Sequence, residues 1–164
     1  MATILKSARR DFQENPGRID HFRLFSDVSI ANSGAKPRNL NFDLRRLDPD
    51  QYSSLYHSHR HAEELFMLVS GSATLRTPEG VEVVSSGDLV FFEMGETGAH
   101  QLYNHTDEPC LYLDVRTFNG VDVCDYPDTN KVLIIPTMEK FSKDARLGHF
   151  DGEEEAADAW KTGK

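Results

Sequence analysis

The chain has 164 residues, a formal net charge of -9 at pH 7 and 38% hydrophobic residues. This length fits one domain with a sizeable core. No stretch concentrates Lys and Arg enough to follow a phosphate backbone, so we expect no nucleic-acid partner. Because no apolar run is long enough to span a bilayer and the N-terminus lacks the apolar core of a signal peptide, we expect a cytoplasmic protein without a membrane partner.

The predicted elements begin with residues 1–21, a polar segment that we expect to be an arm or an edge strand. Residues 22–137 follow as the body of the domain, in which short alternating or apolar segments are separated by turn residues. The predicted strands lie at residues 44–47, 65–69, 73–77, 81–83, 89–92, 111–116 and 131–135. Short strands at this frequency predict an all-β antiparallel sandwich or barrel.

Residues 138–164 form a charged C-terminal extension. A short helix is predicted over residues 151–161, because acidic residues at its start and Lys161 near its end complement the helix dipole. Trp160, the single tryptophan of the chain, is expected to be a packing anchor. The two cysteines, Cys110 and Cys124, are interpreted as reduced, partly buried thiols, with a disulfide or a metal-binding thiolate as the less favoured alternatives.

Three histidines and a glutamate stand in an order that a metal ion can use. His57 and His59 are two apart on a predicted strand and therefore project to the same face. Glu64 opens the apolar strand that ends at Gly71, and His100 follows later in a strand-like context. Imidazole and carboxylate ligands suit a divalent transition metal, and this set does not select among Fe, Mn, Ni, Cu and Zn. The competing interpretation is a histidine-rich surface loop, in which His61 and His105 would be solvated and inactive.

The spacing of these residues resembles the first motif of the cupin superfamily. That motif contains His-x-His, then Glu, then Gly, and the chain has four residues between His59 and Glu64 and six between Glu64 and Gly71. The opening Gly of the motif is absent, and Pro49-Asp50 stands at that turn.

A second cupin motif is matched by Gly87, Gly95, His100 and Asn104. Glu93 stands where this motif usually has Pro, and the spacer before His100 holds two extra residues. Neither departure removes a ligand. The likeness extends to a group of small single-domain bacterial cupins, some of which are sugar-phosphate isomerase-like.

The resemblance implies that residues 22–137 form a double-stranded β-helix, the cupin jelly-roll barrel, and that the protein is a homodimer. It also implies that His57, His59, Glu64 and His100 bind one divalent metal ion. The function that follows is a metalloenzyme acting on a polar small-molecule substrate, either as an isomerase such as a sugar-phosphate isomerase or as a dioxygenase if iron is bound. The alternative is a non-catalytic module that binds a metal or a small ligand.

Several neighbouring residues offer further candidates. Glu63 could replace Glu64 as the ligand, although the six residues before Gly71 favour Glu64. Phe66 and Leu68 share the strand parity of Glu64, and Leu102 shares that of His100, so we expect them to form apolar walls. The remaining candidates are polar side chains that could contact a substrate. Strand arginines are more often solvated and strand tyrosines more often pack against neighbours. These candidates are Arg45, Arg46, Arg116, Tyr56 and Tyr103.

Overall fold

The computed structural model describes residues 2–153 and 156–162, and within these ranges strands separated by tight turns dominate. The strands are, in chain order, β1 Phe12–Glu14, β2 Phe25–Asp27, β3 Leu40–Leu47, β4 Ser58–His59, β5 Glu64–Ser70, β6 Ser72–Thr77, β7 Gly80–Ser85, β8 Leu89–Phe92, β9 Gln101–Tyr103, β10 Cys110–Thr117, β11 Asp122–Tyr126, β12 Lys131–Ile135 and β13 Glu139–Ser142. The α-helices are α1 Val28–Asn32 and α2 Ala156–Thr162, and short 3-10 turns lie at Ser7–Arg9, Asp20–Phe22, Glu96–Gly98 and Pro127–Thr129.

The strands form three antiparallel sheets. The largest has the order β1-β2-β3-β10-β5-β8, a second has the order β13-β12-β11-β4, and a third has the order β7-β6-β9. An apolar core lies between the first and third sheets, where buried side chains such as Leu47, Leu68, Leu75 and Leu102 pack together. The predicted all-β antiparallel architecture is confirmed.

The inner face of the largest sheet changes character along its strands. At one end Cys110 on β10 is aligned with Leu47 on β3, and both are fully buried. At the other end Arg116 on β10 is aligned with both Asn41 and Glu64. Because strand side chains alternate between faces, these residues share the interior of the barrel. The barrel therefore has an apolar base and a polar mouth.

The turn between β5 and β6 requires a glycine. Gly71 has a φ of 77°, and a Cβ at this position would lie 2.9 Å from the carbonyl oxygen of Pro109. Only glycine adopts this conformation readily and leaves room for that approach. The turn predicted at Gly71 is confirmed, and it fixes the point at which the strand that begins with Glu64 ends.

The two ends of the chain differ from the body. The N-terminal segment supplies β1, which pairs with β2 at the edge of the largest sheet. In the C-terminal extension, β13 adds a strand that the sequence did not predict, and it pairs with β12. Helix α2 begins at Ala156 and not at residue 151. Residues 151–152 form a turn, and residues 154–155 lie outside the described part of the chain.

The expectation that Trp160 is a packing anchor is wrong, because this side chain is 91% exposed. It lies on α2, where no other element packs over it closely enough to bury it. Both cysteines are free and buried, and burial raises the pKa of the Cys110 thiol to about 11. No helix among the described residues is long and apolar enough to cross a membrane.

Candidate metal centre

Two of the predicted ligands meet through a backbone bridge between distant segments. The amide of His57 donates to the carbonyl oxygen of His100 at 3.2 Å, and the amide of His100 donates to that of His57 at 2.8 Å. This antiparallel bridge places the two imidazole rings side by side, with 4.7 Å between their centroids. His59 follows on β4, which pairs with β11.

The four predicted ligands converge at the polar mouth of the barrel. Donor atoms of His57, His59 and Glu64 lie within 4.8 Å of one another. Glu64 Oε2 lies 3.3 Å from His59 Nε2 and 3.1 Å from His100 Nε2. The structure thus brings together residues that are spread over more than forty positions of the sequence.

Burial and hydrogen bonding at this cluster fit a bound cation. His59, Glu64 and His100 are each no more than 3% exposed. In the described part of the chain, Glu64 Oε2 and His100 Nε2 are buried without a hydrogen-bond partner. The contacts of Glu64 Oε2 with His100 Nε2 and His59 Nε2 are short but lack hydrogen-bond geometry. Because buried polar atoms in folded proteins nearly always have partners, one cation shared by these atoms would satisfy them.

Each of the three imidazoles is anchored through its Nδ1 atom. Nδ1 of His57 contacts the carbonyl oxygen of Leu55 at 2.9 Å, and Nδ1 of His100 contacts that of Gly98 at 2.9 Å. Because a carbonyl oxygen can only accept, Nδ1 donates in both rings, which leaves Nε2 as the ring atom available to a metal ion. Anchoring of this kind orients the rings of metal-binding histidines.

The anchor of His59 is a carboxylate. Nδ1 of His59 lies 2.5 Å from Asp122 Oδ2, and the other oxygen of Asp122 accepts from the backbone amides of His61 and Val123. Burial alone would lower the pKa of His59, but Asp122, Cys124 and Glu64 together raise it to about 11. The surroundings of this ring favour positive charge, which either a proton or a metal ion at Nε2 would supply.

The other ligands are held in the forms that bind metals. Burial, and then the neighbouring His100, lower the pKa of His57 to about 3, so its imidazole is neutral at pH 7. Burial would raise the pKa of Glu64, but His100 and His59 bring it well below its usual value. Neutral imidazole and ionised carboxylate are the states that coordinate a divalent ion.

The structure also places the competing candidates. Glu63 is exposed, and its backbone amide donates to Thr117 Oγ1. His61 is exposed, and His105 is an exposed residue that contacts Thr74 Oγ1. Glu64, and not Glu63, therefore joins the histidines, while His61 and His105 stay outside the cluster.

Aromatic side chains form one wall of the cluster. The ring of Phe92 stacks on His100 with 3.7 Å between centroids, and Phe66 meets the same ring edge-on at 5.2 Å. Leu68 and Leu102 are fully buried behind them. The apolar walls expected from strand parity are present, and they limit the water that reaches the cluster.

Polar side chains on β3 and β10 form a second wall, the polar wall. Arg45 Nη1 contacts Asp114 Oδ2 at 2.8 Å, and Arg116 Nη1 lies 3.4 Å from His59 Nε2. Burial raises the pKa of Asp114 to about 7 although Arg45 opposes the shift. Arg46 points to the other face, where it pairs with Asp48 and stacks on Phe25. Two of the three candidate arginines thus face the cluster.

The two other candidates have packing or surface partners. Tyr56 is buried beneath the guanidinium of Arg76, 3.9 Å from the ring centroid. The hydroxyl of Tyr103 donates to Asp50 at 2.9 Å near the surface. The hydroxyl of Tyr103 is therefore directed to Asp50, and the ring of Tyr56 packs against Arg76.

A small cavity opens at the polar wall. It has a volume of about 50 Å³ and is lined by Asn41, Phe42, Asp43, Arg45, Asp114 and Arg116. A larger cavity of about 540 Å³ lies between β7 and β8, and none of the four predicted ligands lines it. The chemistry of the side chains, rather than cavity size, identifies the barrel mouth as the candidate site.

Comparison with known proteins supports this architecture. Residues 44–116 match the family model described as Cupin domain, a range that includes all four predicted ligands. No protein of curated function gives a significant match. The strand pattern, the ligand cluster and the family match thus agree on one kind of domain.

Solved structures extend the likeness to most of the chain. A protein provisionally assigned as a sugar phosphate isomerase from Acidithiobacillus ferrooxidans is 23% identical, with a TM-score of 0.75 over 88% of this chain and 95% of that chain. A sugar phosphate isomerase from a cupin superfamily, from Silicibacter pomeroyi, is 22% identical with a TM-score of 0.75, over 90% of this chain and 98% of that chain. The polyketide cyclase RemF from Streptomyces resistomycificus is 19% identical with a TM-score of 0.54, over 71% and 80%. At these identities the likeness shows a common fold.

Proposed function

We propose that the protein is a metal-dependent enzyme acting on a polar small molecule, with isomerisation as the favoured reaction. The proposal is supported by the match of residues 44–116 to the cupin-domain model and by the all-β cupin fold. His57, His59, Glu64 and His100 would hold one divalent ion of Fe, Mn, Ni, Cu or Zn. The observation that carries the proposal is a pair of buried atoms, Glu64 Oε2 and His100 Nε2, that lie 3.1 Å apart without a hydrogen bond, within an anchored histidine cluster.

The proposed ligand set favours catalysis over a purely structural role. Three imidazoles and one carboxylate leave positions open on a six-coordinate ion, as catalytic sites require. When bound, such an ion would polarise a carbonyl or hydroxyl oxygen of the substrate. Phe66 and Phe92 would exclude water from one side, and the wall that carries Arg45, Asp114 and Arg116 would orient polar groups from the other.

The choice of isomerisation is supported by two structural relatives that cover nearly all of this chain and are described as sugar phosphate isomerases. The dioxygenase alternative applies if the bound metal is iron, whereas each of the metals proposed here could polarise a carbonyl. The polar wall also provides donors for several hydroxyl groups at once, which a sugar-like substrate would need.

The test is a metal-dependent assay with matched variants. Protein loaded with each of the five metals is incubated with a panel of aldose and ketose phosphates, and isomerisation is followed by NMR while oxygen uptake is recorded. We expect turnover that Glu64→Gln abolishes and that Glu63→Gln, a change at the exposed neighbour, preserves. Oxygen uptake confined to the iron form would identify a dioxygenase instead. Metal binding without any turnover would support a binding module.

A further inference from the structure

A second group of metal-binding side chains surrounds the other ring nitrogen of His59. Nε2 of this ring faces Glu64, whereas Nδ1 faces Asp122 and Cys124. One donor atom each of His59, Asp122 and Cys124 lies within 4.8 Å of the other two. All three side chains are buried, with exposed fractions of 2% to 3%. The group therefore has the ligand types, the spacing and the shielding from water of a metal site.

Strand pairing brings these three side chains together. Cys124 on β11 is aligned with His59 on β4, and aligned residues of an antiparallel pair have adjacent Cβ atoms. Asp122 lies two positions before Cys124, so it projects to the same face of β11. The group is thus held by two paired strands and not by a flexible loop.

The donor atoms of the group converge on one nitrogen. Cys124 Sγ lies 3.3 Å from His59 Nδ1, and Asp122 Oδ2 lies 2.5 Å from the same atom. The other oxygen of Asp122 accepts from the backbone amides of His61 and Val123. These two hydrogen bonds fix the carboxylate and leave Oδ2 for His59.

The distances are close to those of a zinc site. Bonds of about 2.0 Å to nitrogen and oxygen and about 2.3 Å to sulfur place the ligand atoms of a tetrahedral zinc ion about 3.3–3.5 Å apart. The contact between Cys124 Sγ and His59 Nδ1 already has this length. The contact between Asp122 and His59 has the length of a short hydrogen bond. An ion that replaced this proton would need Oδ2 to move away from Nδ1 by about 0.8 Å.

The other cysteine lies in different surroundings. Cys110 is fully buried in the apolar core, among side chains such as Leu47 and Leu68. Cys124, in contrast, contacts a ring nitrogen that also contacts a carboxylate. Thiolate ligands select soft ions such as Zn²⁺ and Cu⁺ over Mn²⁺ or Mg²⁺. For Cys124, the geometry thus favours the metal-binding thiolate among the alternatives that the sequence left open.

We propose that His59 Nδ1, Asp122 Oδ2 and Cys124 Sγ form a second metal site, which takes a thiophilic ion such as Zn²⁺ or Cu⁺. Binding displaces the proton of Nδ1 and that of the thiol into solvent. The inference goes beyond the proposed function, because this site can fill whether or not the first centre holds an ion.

The second site should be the weaker of the two. Its ion replaces the hydrogen bond between His59 and Asp122, and two cations that share one imidazole repel each other. Each ion therefore weakens binding of the other by the same factor. The site fills when a thiophilic ion is supplied in excess, after the first centre has been occupied.

The test is titration of the full, reduced chain with Co²⁺ after treatment with EDTA and desalting. A thiolate bound to Co²⁺ gives a charge-transfer band in the near ultraviolet, which the centre of three histidines and Glu64 cannot give. We expect this band in wild type at excess Co²⁺ and its loss in Cys124→Ala. Cys110→Ala, the matched control at the other buried cysteine, should keep the band.

Two further variants keep the test decisive if Cys124→Ala fails to fold. Cys124→Ser keeps a polar side chain beside His59 but removes the soft ligand, so it should lack both the band and the second equivalent of Zn²⁺. His100→Ala changes the first centre alone, so the band should remain. Absence of the band in wild type, its persistence in Cys124→Ser or its loss in Cys110→Ala would overturn the inference.

The same experiment separates this inference from the proposed function. A wild type that lacks the band but binds one ion through His100 contradicts the second site alone. A band that depends on Cys124, in a protein whose metal content does not change in His100→Ala, contradicts the first centre alone.

Discussion

Asp122 accepts a hydrogen bond of 2.5 Å from His59 Nδ1, although the two residues are 63 positions apart in the sequence. Both side chains are buried. The contact joins β11 to β4 and turns His59 Nε2 toward Glu64. A carboxylate behind a metal-binding histidine fixes the tautomer and raises the basicity of the ligand nitrogen. Asp122 is thus not one of the four predicted ligands, but it acts directly on one of them, His59.

Asp122→Asn should weaken metal binding by about 10- to 100-fold while the fold is retained, because the amide keeps the size of the side chain but not its charge. The dissociation constant would be measured by competition with a chromophoric chelator. Asp128→Asn, which changes an exposed carboxylate paired with Arg76, is the matched control and should bind as wild type. Equal affinities in the two variants would show that Asp122 does not act on the centre.

Gly98→Ala should disturb the cluster through His100 and not through His59. A Cβ on Gly98 would collide with the carbonyl oxygen of Glu93, and the carbonyl oxygen of Gly98 accepts from His100 Nδ1. We expect a lower melting temperature and reduced metal content. Gly120→Ala is the comparison for metal content. Gly120 has a φ of 96°, so an alanine there should also lower the melting temperature, but nothing lies within 4 Å of an added Cβ and the metal content should stay as in wild type. A Gly98→Ala protein as stable and as metal-rich as wild type would contradict this account of the loop.

The loss of folding stability at acidic pH should depend on Asp125. Its carboxylate contacts Arg60 Nε at 2.6 Å and also pairs with Lys143. The Arg60 hydrogen bond is the main cause that lowers the pKa of Asp125 to about 2, against about 3.9 in an unfolded chain. Because the folded state releases this proton more readily, the stabilisation is complete above pH 4 and is lost as the pH falls toward 2.

The corresponding free energy is about 2 kcal/mol. Urea unfolding of Asp125→Asn at pH 7 should show a loss of this order, with a weaker pH dependence than wild type between pH 4 and pH 2. Asp128→Asn again serves as the control and should follow the wild-type profile. Parallel profiles for wild type and Asp125→Asn would refute the assignment.

We propose that the protein is a homodimer that pairs through the outer face of β5 and β8. Met67 and Leu89 are aligned on this face, and they are 40% and 65% exposed, with Phe91 beside them at 56%. Adjacent exposed apolar side chains of this size are typical of an interface, and a two-fold pair is the commonest arrangement.

Light scattering should give twice the chain mass of 18.6 kDa. Phe91→Asp should shift the protein to monomer, whereas Val83→Asp on β7 should not. A wild-type monomer at micromolar concentration would exclude the proposal.

Much of this architecture follows from local sequence. The alternation around His100 predicted that Leu102 shares its face, and Leu102 is fully buried. The strand predicted at residues 131–135 has the same bounds in the structure. Period-two alternation is a local property, so it shows directly which side chains point inward.

The missed features depend on pairing between distant segments. Asp122 and Cys124 reach His59 only because β11 lies against β4, a register that alternation does not encode. Arg18 lies in the segment predicted as a polar arm, and its guanidinium donates to the carbonyl oxygens of Ser53 and Phe22.

The central claim is that His57, His59, Glu64 and His100 hold one divalent ion, and metal stoichiometry tests it most directly. Elemental analysis and chelator competition would be applied to wild type, His100→Ala and His105→Ala, the last being an exposed histidine outside the cluster. We predict one ion per chain in wild type and in His105→Ala, and loss of stoichiometric binding in His100→Ala. Full stoichiometry and unchanged affinity in His100→Ala would contradict the four-ligand centre.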